Sequence, residues 1–164
     1  SDHQTTRSCL QALSDLHNQE FVAHNILDVG TGSGILSLAA ANLWPNAKIT
    51  AVDIDDEAVL VTRSNAQNNN LDSRIETAQS DGYKAQIVKN NAPYDLILAN
   101  ILARPLLEMA PDAAQSLISG GYAVLSGFVD NQSDWVISEH QKQGLHLLKL
   151  YELDNWRAAL MQKV

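Results

Sequence analysis

Three glycines at alternate positions, Gly30, Gly32 and Gly34, follow Asp28 and enclose Thr31 and Ser33. Glycine leaves no side chain between the backbone and whatever lies over it, and it adopts left-handed turns cheaply. The residues before the loop, Ile26-Leu27-Asp28-Val29, read as a buried strand, and Ile35-Leu36-Ser37-Leu38-Ala39-Ala40-Ala41 continues as a helix. A strand, a glycine turn and a helix N-terminus make a nucleotide-type cofactor site in an open parallel sheet. The dinucleotide fingerprint would put its third glycine at position 35, where this chain has Ile35. The Asp28 carboxylate suits a ligand carrying an ammonium or sulfonium charge and repels a pyrophosphate. The alternative is a tight strand-to-helix turn with no ligand.

Further carboxylates follow at strand ends. Asp53 closes the run Lys48-Ile49-Thr50-Ala51-Val52, about 20 residues past the glycine loop, where an acid accepts hydrogen bonds from ribose hydroxyls. Asp55 and Asp56 are placed to cap the helix that begins near Glu57. Asp81 ends the next strand and is expected beside an adenine amine; otherwise it is an ordinary loop aspartate. Asn100 follows the apolar run Tyr94–Ala99, where its carboxamide can meet a reacting group or simply bond its own backbone in a turn.

Strands alternate with helices to position these groups. The sequence predicts an amphipathic helix over Thr5–Gln19 with Leu10, Leu13 and Leu16 on one face, then a strand over Asn25–Val29 and a helix to Leu43, stopped by Pro45. Strand Lys48–Val52, helix Glu57–Asn68, strand Ile75–Gln79, a short helix within 82–92 and the central strand Tyr94–Ala99 follow. A helix over Arg104–Ile118 ended by Gly120-Gly121, strand Tyr122–Phe128, helix Ser133–Gln143 and strands Leu145–Leu153 and Trp156–Gln162 complete the reading. Only Asp154-Asn155 joins the last two strands, so they should form an antiparallel hairpin. Five parallel strands closed by a hairpin is the seven-stranded, mostly parallel α/β sheet of class I, Rossmann-like methyltransferases. A dehydrogenase would continue with strand–helix–strand units. The G-x-G-x-G loop preceded by an acid is also the form seen in S-adenosylmethionine-dependent methyltransferases.

Composition sets outer bounds. The 164 residues suit one S-adenosylmethionine-binding domain over 1–164, with 45% hydrophobic and 18% charged residues. No apolar run of about 18 residues suggests a membrane helix, and Ser1-Asp2-His3-Gln4 does not read as a signal peptide. Cys9 is the only cysteine and the five histidines are scattered, so neither a disulfide nor a metal site is expected, and a reducing cytoplasm fits. Cys9 reads as a small buried apolar residue, and Trp44 and Trp156 as packing residues. A formal net charge of −8 argues against a nucleic-acid phosphate backbone and suits a basic protein partner.

His3-Gln4-Thr5-Thr6, Asp28 through Ser37, Asp53-Ile54-Asp55, Ala99-Asn100-Ile101-Leu102, Leu125-Ser126-Gly127 and Asn155-Trp156-Arg157-Ala158-Ala159-Leu160 occur in this order. Together they resemble the PrmA family, bacterial methyltransferases of a large-subunit ribosomal protein, over nearly the whole chain. The resemblance implies an enzyme that uses S-adenosylmethionine, bound by Thr6, Asp28, Gly30, Thr31, Gly32, Gly34, Asp53, Ile54, Asp81 and Asn100. Thr6 would line the methionine end; its alternative is a helix-start residue satisfying backbone donors, and His3 would border the same pocket. The family's N-terminal substrate-recognition domain and its Phe-Gly-Thr-Gly stretch have no counterpart here. An excised catalytic domain and a stand-alone relative with another target are both open.

The reading that follows is an N-methyltransferase for lysine or N-terminal amines of a protein such as a ribosomal protein, with Asn100 as the catalytic residue that orients the amine. Rivals are a small-molecule or RNA methyltransferase and a cofactor-binding module without turnover. Base-methylating enzymes commonly carry Asn/Asp-Pro-Pro-Tyr/Phe after this strand. Here Ile101-Leu102 supplies no aromatic for a flipped base.

Overall fold

The structure, a computed structural model, describes residues 3–164, with side chains from Gln4 onward. Ser1, Asp2 and the His3 side chain, and with them the expected pocket contact of His3, lie outside the described residues.

Seven strands form one sheet in the order β3-β2-β1-β4-β5-β7-β6. They are β1 (Asn25–Val29), β2 (Lys48–Asp53), β3 (Ile75–Gln79), β4 (Tyr94–Asn100), β5 (Leu117–Val129), β6 (Leu145–Leu153) and β7 (Trp156–Lys163). The first five are mutually parallel, and β7 runs antiparallel to both β5 and β6, as the two-residue connection predicts. β4 is buried along nearly its whole length, which fits an apolar strand covered by helices on both faces. Its Asp95 turns that burial to use: the carboxylate accepts from the His24 and Asn25 amides at 2.7 and 3.1 Å, pinning the start of β1 beside it.

Two cores flank the sheet. On one face α1 (His3–Asn18), α2 (Ile35–Leu43) and α3 (Asp56–Asn68) cover Ile26, Ile49, Leu96, Leu98 and Val124. On the other, α4 (Gln86–Asn91), α5 (Ala103–Glu108), α6 (Ala110–Ser116) and α7 (Ser133–Lys142) cover Leu27, Ile97, Leu125 and Phe128. Alternate residues of each strand therefore serve opposite cores. Cys9 and Trp44 are buried, the indole donating to the Phe21 carbonyl at 2.8 Å, while Trp156 is half-buried. No helix among the described residues is long and apolar enough to cross a membrane.

The structure corrects one stretch. The single helix expected over Arg104–Ile118 is two helices that break at Met109, because Pro111 has no amide to donate to the preceding turn. Gly120-Gly121 do not end a helix. Leu117 already pairs with Tyr94, so β5 starts earlier and the exposed Ile118–Gly120 segment lies within it.

Candidate cofactor and acceptor site

At the carboxyl ends of β1, β2, β3 and β4 lies an open cleft of about 380 Å³, within the range of small-molecule sites. Gly30, Gly32, Asp53, Ile54, Asp81 and Asn100 line it. Of the other expected residues, Asp28, Thr31 and Gly34 are buried, and Thr6 is half-buried in the first turns of α1. None of these four lines the cleft.

The glycine loop takes its shape from φ values of +75°, +59° and +85° at Gly30, Gly32 and Gly34. A Cβ at Gly30 would collide with the Ile101 side chain and sit 3.1 Å from the Asn100 carbonyl oxygen, so the loop touches the end of β4. Nothing lies within 4 Å of where a Cβ on Gly32 would stand. That gap is the space a ligand can use.

Asp28 faces inward. Its Oδ2 accepts from Thr31 Oγ1 at 2.9 Å and Ser37 Oγ at 2.6 Å, tying the loop and the first turn of α2 to β1, while Oδ1 is buried without a partner. Burial pushes its pKa up to about 6; the Ser37 and Thr31 bonds oppose that shift and the Asp53 charge adds to it.

Asp53 ends β2 with both oxygens engaged, Oδ2 by the Gly32 amide at 2.9 Å and Oδ1 by the Asp55 amide at 3.0 Å. Each carboxylate oxygen keeps a lone pair for a further donor. Asp55 caps α3 by accepting from the Glu57 amide at 3.0 Å, as its position predicts. Asp81 is exposed and pairs with Lys84 at 3.3 Å. The turn that carries it is fastened by Ser80, whose Oγ donates to the Gly82 carbonyl at 2.6 Å and accepts from the Ala85 amide at 3.1 Å.

Asn100 stands in register with Ser126 of β5, and its Oδ1 is buried without a hydrogen-bond partner. An orphaned buried acceptor is costly and calls for a donor. The far wall, Ile101, Leu102, Pro105 and Met109, is apolar, and Leu102 is 75% exposed at the mouth. Of these four, the sequence points only to Ile101 and Leu102; Pro105 and Met109 reach the cleft through the tertiary packing of α5.

A 3-2-1-4-5-7-6 sheet with this glycine cleft at its carboxyl edge defines a class I methyltransferase domain. Its fold is similar to the crystal structure of ribosomal protein L11 methylase from Lactobacillus delbrueckii subsp. bulgaricus, with a TM-score of 0.88 and 27% identity over 99% of this chain and 81% of that one. An RNA methyltransferase from Salinibacter ruber, solved in complex with S-adenosyl-L-homocysteine, shares the fold at a TM-score of 0.71 and 16% identity, over 99% of this chain and 93% of that one. Residues 1–164 match the family of ribosomal protein L11 methyltransferase (PrmA), and the chain belongs to that family. It is 42% identical to the ribosomal protein L11 methyltransferase of Brucella suis over 156 residues, 95% of this chain and 54% of that protein. The corresponding protein of Mesorhizobium japonicum is 40% identical over 154 residues, 94% of this chain and 52% of that protein. The chain thus spans about half the length of the curated relatives it matches.

Proposed function

We propose that this chain is the catalytic, single-domain part of an S-adenosylmethionine-dependent protein N-methyltransferase whose acceptor is a lysine or N-terminal amine of ribosomal protein L11. The observation that carries the reading is the orphaned, buried Oδ1 of Asn100, beside an open glycine loop whose Gly32 has no atom within 4 Å of a Cβ. The residues fit the cofactor. Gly30 and Gly32 leave room over the loop, Asp53 has lone pairs for two ribose hydroxyls, Ile54 offers an apolar surface, and Asp81 can accept from an adenine amine. Asp28 and Thr31 hold the loop, Gly34 turns it into α2, and Thr6 lies on α1, which packs against α2 and against β5, β6 and β7. When bound, S-adenosylmethionine supplies a methyl group on a sulfonium, whose leaving group departs neutral and needs no acid.

The chain's task is then to hold an amine in line and exclude water. A lysine has a reference pKa of about 10.4 and must lose a proton before attack; the apolar wall of Ile101, Leu102, Pro105 and Met109 favours the neutral form. Asn100 Oδ1 accepts one N–H of that neutral amine and so aims its lone pair. The formal charge of −8 suits a basic acceptor protein, and the site of action is the cytoplasm.

Titration calorimetry with S-adenosylmethionine, S-adenosylhomocysteine and NAD tests the cofactor. Saturable binding of the first two and none of NAD is expected; NAD binding without any response to the methyl donor overturns the reading. Mass spectrometry of labelled-methyl transfer to whole ribosomal proteins then identifies the acceptor.

A further inference from the structure

The glycine loop is gripped from behind as well as from its own strand. Thr62 Oγ1 of α3 donates to the Gly32 carbonyl at 2.8 Å, and Asn65 Nδ2 donates to the Ser33 carbonyl at 2.8 Å. Three positions apart on α3, the two side chains share one helix face. Thr62 is 1% exposed, and its Cγ2 lies 2.8 Å from where a Cβ on Gly34 would stand, so that glycine is what lets the helix approach. Opposite them, the Gly32 amide donates to Asp53. Gly32 is therefore fixed through its N–H by the end of β2 and through its carbonyl by α3.

Neither residue suits a helix interior for its own sake. Threonine loses rotamer freedom there and asparagine competes for backbone bonds. A helical threonine often bonds the carbonyl four residues back. Here both side chains reach the loop instead, across 30 and 32 positions of sequence.

We propose that Thr62 and Asn65 are positioning residues that hold the glycine loop ready for its ligand by drawing the Gly32 and Ser33 carbonyls toward α3 and away from the cleft. This rests on the cofactor reading above. A loop with three glycines at positive φ has much freedom to lose on binding, and a loop ordered in advance loses less. Without Thr62, the Gly32–Ser33 peptide can turn its carbonyl into the open space over Gly32, which the ligand needs.

The test uses Thr62→Val, Thr62→Ser and Asn65→Ala in the full chain, with two readouts. Hydrogen exchange of the ligand-free protein is expected to show faster exchange at residues 30–34 in Thr62→Val and Asn65→Ala, with the core strands unchanged. Calorimetry with S-adenosylhomocysteine is expected to show binding weakened about five- to tenfold in Thr62→Val, the value of one hydrogen bond. Thr62→Ser, which keeps the hydroxyl, should restore both readouts. If Thr62→Val fails to fold, Asn65→Ala, at the more exposed bond, carries the test alone. Unchanged loop exchange with binding within twofold of wild type overturns the proposal, as does a Thr62→Ser variant as weak as Thr62→Val. Wild-type protein that binds no S-adenosylhomocysteine overturns the cofactor reading, while the loop exchange still decides whether the clamp exists.

Discussion

Asp53 and Asp55 stand two positions apart and carry different tasks. The first holds Gly32 and keeps lone pairs toward the cleft; the second caps α3. Asp53→Ala is therefore expected to weaken cofactor binding by about ten- to a hundredfold, since hydrogen bonds to a charged group are each worth roughly 1.5–3 kcal/mol. Asp55→Ala should instead cost about 1 kcal/mol of stability and change affinity little. Calorimetry and urea denaturation on both variants separate the roles; equal, small losses of affinity would mean that the ribose partner lies elsewhere. Asn100→Ala should leave cofactor affinity within a few-fold and lower turnover. With the proposed amine acceptor, wild-type turnover should rise about tenfold per pH unit well below the acceptor's pKa, because only a neutral amine attacks. Full turnover in Asn100→Ala would make the residue a structural turn.

Between elements, the end of β4 rests on an irregularity in β5. The pairing of β5 with β7 shifts between Ser126 and Phe128, and Gly127 sits in that shift at φ +99°. The Ile101 amide donates to the Ser126 carbonyl at 3.1 Å, and a Cβ on Gly127 would collide with the Ile101 carbonyl oxygen. The bulge thus forms the seat for the turn that carries Asn100 and Ile101. Gly127→Ala combines positive-φ strain with a backbone clash, so a loss of roughly 1–3 kcal/mol in stability is expected. Turnover should fall further than cofactor affinity, because the displaced segment carries Asn100, the residue proposed to orient the acceptor. Denaturation and steady-state kinetics of this variant check both, and wild-type behaviour in each would show that the seat yields without consequence.

Across the whole molecule, the buried Asp28 links the site to global stability. Its folded pKa of about 6 lies above the reference value of about 4, so between these values the folded state holds the proton more tightly than the unfolded chain. The stabilisation is complete below about pH 4 and is lost as pH rises through about 6, by up to roughly 3 kcal/mol. Urea midpoints measured from pH 4 to 7 should show this decline, and Asp28→Asn should flatten it. Asp15 works in the other direction. The Tyr151 hydroxyl, chiefly, holds its carboxyl below the usual range, so its contribution is present above the unfolded value and fades as pH falls through the folded one. A decline of equal slope in Asp28→Asn would assign the titration to another group.

The order of strands and helices, the parallel sheet with its closing hairpin, and the loop Asp28–Gly34 were legible in the chain itself. Period, glycine spacing and short connections are local properties, and local steric rules dictate their outcome. The strand-end carboxylates were legible for the same reason, since a parallel sheet brings successive carboxyl ends to one edge. The direction of each side chain was not. Asp28 and Asp53 look alike in sequence, yet packing buries one behind the loop and leaves the other lining the cleft. The break at Met109 followed from Pro111 and could have been read; the early start of β5 could not, because only pairing with Tyr94 makes Leu117 a strand residue. The reach of Thr62 and Asn65 to the loop, and the approach of Pro105 and Met109 to the cleft, join segments far apart in the chain. Such contacts depend on how helices settle on the sheet, which is a property of the packed molecule and of no local stretch.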